Sequence, residues 1–375
     1  MRSIIDEISK IRNGKQISIN YQNNNRYRVL VNENDGTKTA YYLSCPVYNI
    51  KSRKAVDLRF YRKDGAIYSL GSNSSITFSN SIRMGNAEGY ADISLGKEVS
   101  PISINELASG NQRIYPTVNG FVYKINCINE KSFTFSLEVG KPFMEVRANN
   151  KCFSLMSERF RPFITLSCIG TTDEQSNIIA PARINYQKIS DKKYSVTVST
   201  CSPIGKWIII EANLYEPKLI QDTTVESLNP SSNNAFGSSA FIGNTSEYGE
   251  QWLYSRPDFD KLSDLDGKKI LRAILHLPKH NHNNVELECF RVSARFCSFG
   301  SNWENKISAS TYITDSSINS KYQSINLTDL LTDKFGNLTR SDGFIVRTKN
   351  KNSGFSVFST GDSYYAPQIL EINFK

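Results

Sequence analysis

No run of 18 apolar residues occurs anywhere in this 375-residue sequence, so no transmembrane helix and no membrane insertion are expected. Catalytic signatures are missing too. There is no Gly-x-Ser-x-Gly elbow, no His-Glu-x-x-His, no phosphate loop and no dinucleotide fingerprint. Histidine is scarce: all three lie in His276-Leu-Pro-Lys-His280-Asn-His282, which leaves few candidates for a Cys/His or Ser/His/Asp site. Paired carboxylates for glycoside hydrolysis converge only in the fold, and nothing in the sequence nominates a pair. These absences point to a chain that is not an enzyme and carries no cofactor.

Cysteine is present, but not in a framework. The seven cysteines are an odd number, and no two stand at C-x-x-C spacing. Most sit in strand-like runs such as Tyr-Leu-Ser-Cys45 and Ile-Thr-Leu-Ser-Cys168, where a reduced thiol serves as a small hydrophobe. Synthesis in a reducing cytoplasm is expected. The N-terminus reads MRSIIDEISKIRNG, and Asp6 and Glu7 interrupt what would have to be the apolar stretch of a secretory signal. The expected destination is therefore a virion, a tail-like particle, or a cell or spore surface.

Hydrophobic residues make up 39% and charged residues 22%, enough for real cores and too apolar for a disordered tail. Tyr (19) and Phe (20) are abundant, which suits short strands joined by polar turns. The net charge is +9, from 45 Lys+Arg against 36 Asp+Glu. Its densest groups, Lys51-Ser-Arg53-Lys54, Lys192-Lys193 and residues 349–351, are scattered. They read as solvated loops rather than one basic face, and no nucleic-acid partner is expected.

Helical spacing of Ile4, Ile5, Ile8 and Ile11, with Asn13-Gly14 as a stop, predicts an amphipathic helix over residues 3–12. Its apolar stripe could pack on its own domain or dock onto another subunit. Alternation then predicts strands at Ile17-Ser-Ile-Asn-Tyr21, Tyr27-Arg-Val-Leu-Val31, Thr39-Ala-Tyr-Tyr-Leu43, Val56-Asp-Leu-Arg-Phe60, Ala66-Ile-Tyr-Ser-Leu70 and Ser75-Ile-Thr-Phe78. Asn34-Asp-Gly36 and Asp64-Gly65 supply turns. Later strands are expected at Ser132-Phe-Thr-Phe-Ser-Leu137, Lys193-Tyr-Ser-Val-Thr-Val198 and Lys206-Trp-Ile-Ile-Ile-Glu211. The expected fold is all-β, with tandem β-sandwich or jelly-roll-like domains behind a short helix. Domains are placed at residues 1–14 (helix), 15–105, 106–218 (separate from 15–105 or one unit with it) and 219–375.

Residues 222–375 carry a more specific pattern. Asp222-Thr-Thr opens it, followed by Asn234-Ala-Phe-Gly237 and Phe241-Ile-Gly243. Next come Leu253-Tyr-Ser-Arg-Pro-Asp-Phe-Asp260 and Ala273-Ile-Leu-His-Leu277. Trp303-Glu304, Ile325-Asn-Leu-Thr328 and the closing Ala366-Pro-Gln-Ile-Leu-Glu-Ile372 complete the series, with Asn326 in place of the usual acid. In order and number these pieces resemble the DNRLRE module of bacterial extracellular proteins. The resemblance implies a jelly-roll-like sandwich of the kind found in adhesins, carbohydrate-binding modules and particle appendages. It implies no catalytic site.

Three groups of residues are candidate sites. His276, His280 and His282 could ligate a transition metal, although Pro278 and three asparagines mark a strand end running into a loop. Trp303, Tyr364 and Tyr365 could stack on sugar rings. Ile4, Ile5, Ile8 and Ile11 could form an assembly face. The run from Asp258 to Asp266 fits no register of a calcium hand. The resulting expectation is a non-catalytic structural or adhesive component of a surface or particle assembly, phage-tail-like or spore-surface. Its expected partners are other subunits, a cell-surface glycan and copies of itself in a trimer. A stand-alone carbohydrate-binding protein and a polysaccharide-acting enzyme with a C-terminal binding module are the alternatives.

Overall fold

A computed structural model describes residues 4–14, 25–48, 55–70, 75–141, 145–157, 161–319, 321–351 and 354–375. The side chains of Ile4, Ile5, Leu70, Ser75 and Glu145 lie outside that set. So do the strand expected at residues 17–21 and the basic group at 51–54. The fold is all-β, with 54% of residues in strands and four antiparallel sheets among the described residues.

The chain forms two compact units. The central unit comprises Tyr48–Pro217 with Phe236–Ser238, and the terminal unit comprises Arg2–Val47, Lys218–Ala235 and Ser239–Lys375. The central unit is one sandwich. An eight-stranded sheet runs 182–190, 193–200, 132–139, 89–94, 82–86, 75–78, 66–70, 60–63. A nine-stranded sheet runs 145–148, 152–156, 162–172, 207–214, 120–126, 112–116, 106–109, 99–103, with 178–180 added beside 162–172. Alternate residues of both sheets build one apolar core. Phe135, Leu137, Tyr194, Val196 and Val198 come from the first sheet, and Ile114, Phe121, Ile125, Leu166, Ile208 and Ile210 from the second. Period-2 alternation does this directly, because successive side chains leave opposite faces of a strand.

The terminal unit is a second sandwich. A six-stranded sheet runs 28–32, 38–43, 369–374, 270–278, 322–326, 317–318. The facing sheet runs 309–315, 287–292, 344–348, 249–257, 239–245, 355–359, with 220–226 beside 249–257. Ala40, Tyr42, Leu275, Leu370 and Ile372 from one sheet share a core with Ile242, Leu253, Phe344, Val346 and Phe358 from the other.

The division departs from the expected one at residues 15–105. Lys38–Leu43 pairs along its whole length with Ile369–Phe374, so the first two described strands belong with the end of the chain rather than with strands 60–103. Alternation marks a strand and its buried face but carries no information on a distant partner. Residues 55–105 and 106–217 fall in a single unit. A second departure is local: of Val56-Asp-Leu-Arg-Phe60 only Phe60 is in a strand, Phe60–Lys63. Asp57 Oδ1 instead accepts the Arg59 backbone N–H at 3.2 Å, and its carboxylate grips the Arg59 guanidinium and the Tyr61 hydroxyl. Both turns form as read. Asp64 and Gly65 adopt φ of 50° and 80°, the left-handed pair of a two-residue hairpin, and Gly36 has φ 81°.

The helix, Ile4–Ile11, lies in the terminal unit. Ile8 is fully buried and Ile11 half-buried. Glu7 accepts the Tyr322 hydroxyl, and Arg12 donates to both oxygens of Glu33 (2.6 and 2.9 Å) and to Tyr41 Oη at 3.1 Å. Gly14 N–H closes the C-terminus on Ser9 O at 2.8 Å, with Asn13 and Gly14 both at positive φ. Ile8 is therefore covered by its own unit and is not free to serve as an assembly face.

Candidate functional site

The sandwich of the central unit is left open at one rim. The chain passes from the eight-stranded to the nine-stranded sheet through residues 95–98 and returns through residues 127–131. Between these two crossings the tight turn from 106–109 to 112–116, with Gly110 at φ 63°, brings Ser109 and Gln112 opposite each other. A cleft of about 340 Å3 results, within the ~300–1,000 Å3 range of small-ligand sites.

Its floor is apolar and aromatic: Tyr123, Ile125 and Phe135 are almost fully buried, while Phe133 and Leu95 are half-buried. Its mouth is polar. Asn111, Asn129, Glu130 and Lys97 line it and are exposed. The rim is held by its own hydrogen bonds. Ser109 Oγ donates to Lys97 O at 3.1 Å, Asn126 N–H donates to the Gln112 side-chain oxygen, and Asn126 Oδ1 accepts Ile128 N–H at 3.1 Å. Burial raises the Tyr123 phenol above its usual range, so that ring is neutral. An aromatic floor under a rim of amides, one ammonium and one carboxylate suits a ligand with an apolar face and a fringe of hydroxyls.

The expected aromatic sites are built differently. Tyr364 is 3% exposed and offers no stacking surface; its loop folds inward. Tyr365 is half-buried, with its ring stacked on His280 at 6.2 Å and 11°. Trp303 is half-buried against Trp252, with ring centres 5.2 Å apart. Lys306 Nζ stands 4.0 Å from the Trp303 ring centre, and Arg347 lies over Trp252 at 5.2 Å and over Phe290 at 4.5 Å. Cations of the same unit thus already engage these rings.

The three histidines occupy three environments. His276 Nδ1 is 2.8 Å from Ser324 Oγ, and its Nε2 is 3.2 Å from Glu371 Oε2. His280 Nε2 is 2.8 Å from Ser359 Oγ, and burial pushes its pKa down to about 4. His282 is exposed. Among the described residues no three His, Cys, Asp or Glu side chains are grouped to hold a metal ion. Proximity in sequence misleads here, because the strand ends at Pro278 and the chain turns, taking His280 to Ser359 and His282 outward.

The terminal unit also buries polar groups. Asp222 Oδ2 accepts Gly361 N–H at 2.5 Å and the Gln368 amide at 3.4 Å, while Oδ1 has no partner among the described residues. Burial raises the Asp222 pKa to about 6, against the pull of the Gly361 hydrogen bond and of nearby Lys218, which itself pairs with Asp362. Burial also opposes ionisation of Glu371. Its hydrogen bond to His276 and the nearby Arg272 more than offset this and leave its carboxyl below the usual range.

No known protein family matches the chain, and neither does any curated protein.

Sequence reasoning missed the cleft. Its mark in the sequence is the amide-rich pair of turns at Asn111-Gln112 and Asn126-Cys-Ile-Asn129, which flank strands carrying Tyr123 and Phe133.

Proposed function

We propose that this chain is a non-catalytic adhesive protein that recognises a glycan through the cleft of the central unit. The observation that carries this reading is the arrangement of the cleft, with the half-buried Phe133 ring beside the buried Tyr123 and Phe135, beneath a rim of Asn111, Gln112, Asn126 and Asn129. Sugar rings present C–H faces to aromatic side chains and hydroxyl edges to amides, so both halves of the cleft have work to do. Display on a surface or particle is supported separately, by the resemblance of residues 222–375 to the DNRLRE module. In that arrangement the terminal unit is the mounting and the central unit the reader.

The test is to probe the full-length protein against immobilised neutral and acidic glycans. Capture of a defined subset, reduced about tenfold or more by Phe133→Ala and by Asn129→Ala, supports the reading. Capture of no glycan, or capture indifferent to both substitutions, refutes it.

A further inference from the structure

In the terminal unit the loop between the strands Phe355–Ser359 and Ile369–Phe374 is drawn against the start of the strand Ile220–Glu226. Gly361 permits this approach, since a Cβ there would meet Ile220 O at 2.5 Å. Three ionisable side chains meet at this point. Lys218 Nζ is in direct contact with Asp362 Oδ1, and the two side chains are only 11% and 7% exposed. Asp222, 2% exposed, accepts Gly361 N–H through Oδ2 at 2.5 Å, one residue before Asp362. Its Oδ1 is buried and has no partner among the described residues.

A buried ion pair needs one cation and one anion. A second carboxyl group beside it adds a desolvation cost that stability alone does not explain. Burial raises the Asp222 pKa to about 6, against the pull of the Gly361 hydrogen bond and of the Lys218 charge. Near neutral pH such a group can both take and return a proton. The loop holds Asp362 in place: its N–H donates to Thr360 Oγ1 at 3.2 Å, and Ser363 N–H donates to Thr360 O at 3.2 Å. An amine and a carboxyl group are thus fixed in contact with water excluded, beside a proton carrier, and fixed contact of this kind lowers the barrier to condensation.

We propose that Lys218 and Asp362 become joined by an amide bond within the chain, with Asp222 carrying the proton. Lys218 Nζ gives a proton to Asp222, and its freed lone pair attacks Cγ of Asp362. The Nζ–Cγ bond forms and one Cγ–O bond breaks. Two protons of the ammonium leave with that oxygen as water, one of them by way of Asp222, which ends as it began. No oxidant, reductant or activating co-reactant is needed. The product replaces two buried charges with one neutral amide. It ties the segment before the strand Ile220–Glu226 to the loop before the last strand, in a unit whose Cys45, Cys289 and Cys297 form no disulfide. The cross-link does not depend on glycan binding by the central unit.

The experiment is the intact mass of the full-length protein, unfolded in urea and read by electrospray. The expected mass is that of the sequence less one water. Trypsin digestion is expected to leave the Lys218 site uncut, within a branched peptide that joins Lys218 to Asp362. Lys218→Arg and Asp362→Ala are each expected to show their full sequence mass. Asp222→Asn keeps an oxygen that can accept Gly361 N–H. It is therefore expected to fold with an unchanged circular dichroism spectrum and yet lose no water, which a merely structural role for Asp222 would not produce. The full sequence mass in the parent protein would overturn the proposal. So would a water lost at an Asp-Gly step such as Asp342-Gly343 instead of in the branched peptide, or a loss that persists in Lys218→Arg. A folded Asp222→Asn that still loses the water would overturn the part assigned to Asp222.

Discussion

The two sandwiches treat their aromatic side chains in opposite ways. In the terminal unit the half-buried Trp252 and Trp303 pack on each other, and Lys306 and Arg347 lie over their faces. In the central unit Tyr123 and Phe133 line an open cleft with amides at its mouth. The contrast teaches that an aromatic residue in a loop is a weak sign of binding. What matters is whether its face is already used by a neighbour of the same chain. Trp303 is the more conspicuous letter in the sequence, and Phe133 the more available ring.

The two cores do not differ in this respect, and the largest expected effects are the same in both. Phe344→Ala in the terminal unit and Phe121→Ala in the central unit each remove a fully buried ring. Each is expected to cost about 3–5 kcal/mol. Hydrogen exchange should show the loss of protection in the sheet that contains the substitution. A loss under about 1 kcal/mol at either site would break the picture of two comparably packed cores.

Trp303→Ala is the next step down. The ring is half-buried and carries the Lys306 contact, so about 2 kcal/mol of stability is expected to go, read from the urea midpoint. No change would mean that the ring is free after all.

The buried polar groups of the terminal unit carry two opposed pH effects. Asp222 titrates near 6 in the fold, above its ordinary 3.8. Its contribution is therefore fullest below about pH 4 and is lost as pH rises through 6. His280 titrates near 4, below its ordinary 6.5, so its contribution is present above 6.5 and is lost as pH falls toward 4. Urea midpoints between pH 4 and 7 check both. The stability of Asp222→Asn relative to the parent should climb from pH 4 to 6, and that of His280→Asn should climb from 6.5 down to 4. Profiles parallel to the parent would show that neither group is held as described.

Legibility in the sequence follows the range of the interaction. The strands 132–139 and 193–200 and the Asp64-Gly65 hairpin rest on local periodicity and turn chemistry, and they formed where the letters place them. The pairing of Lys38–Leu43 with Ile369–Phe374 joins residues over 300 positions apart, and no local pattern encodes it. Tyr364 stands after Gly361-Asp-Ser, a run typical of an exposed loop, yet Gly361 N–H is bound by buried Asp222 and the loop is drawn in. The cleft escaped for a similar reason. It gathers four strands from two sheets and the loops between them, each unremarkable alone.

The measurement that tests the contrast most directly pairs Phe133→Ala with Trp303→Ala in the full-length protein, following glycan capture and the urea midpoint together. The account predicts that Phe133→Ala loses capture with a midpoint close to the parent's, while Trp303→Ala keeps capture and unfolds at lower urea. Capture lost in Trp303→Ala and kept in Phe133→Ala would contradict it.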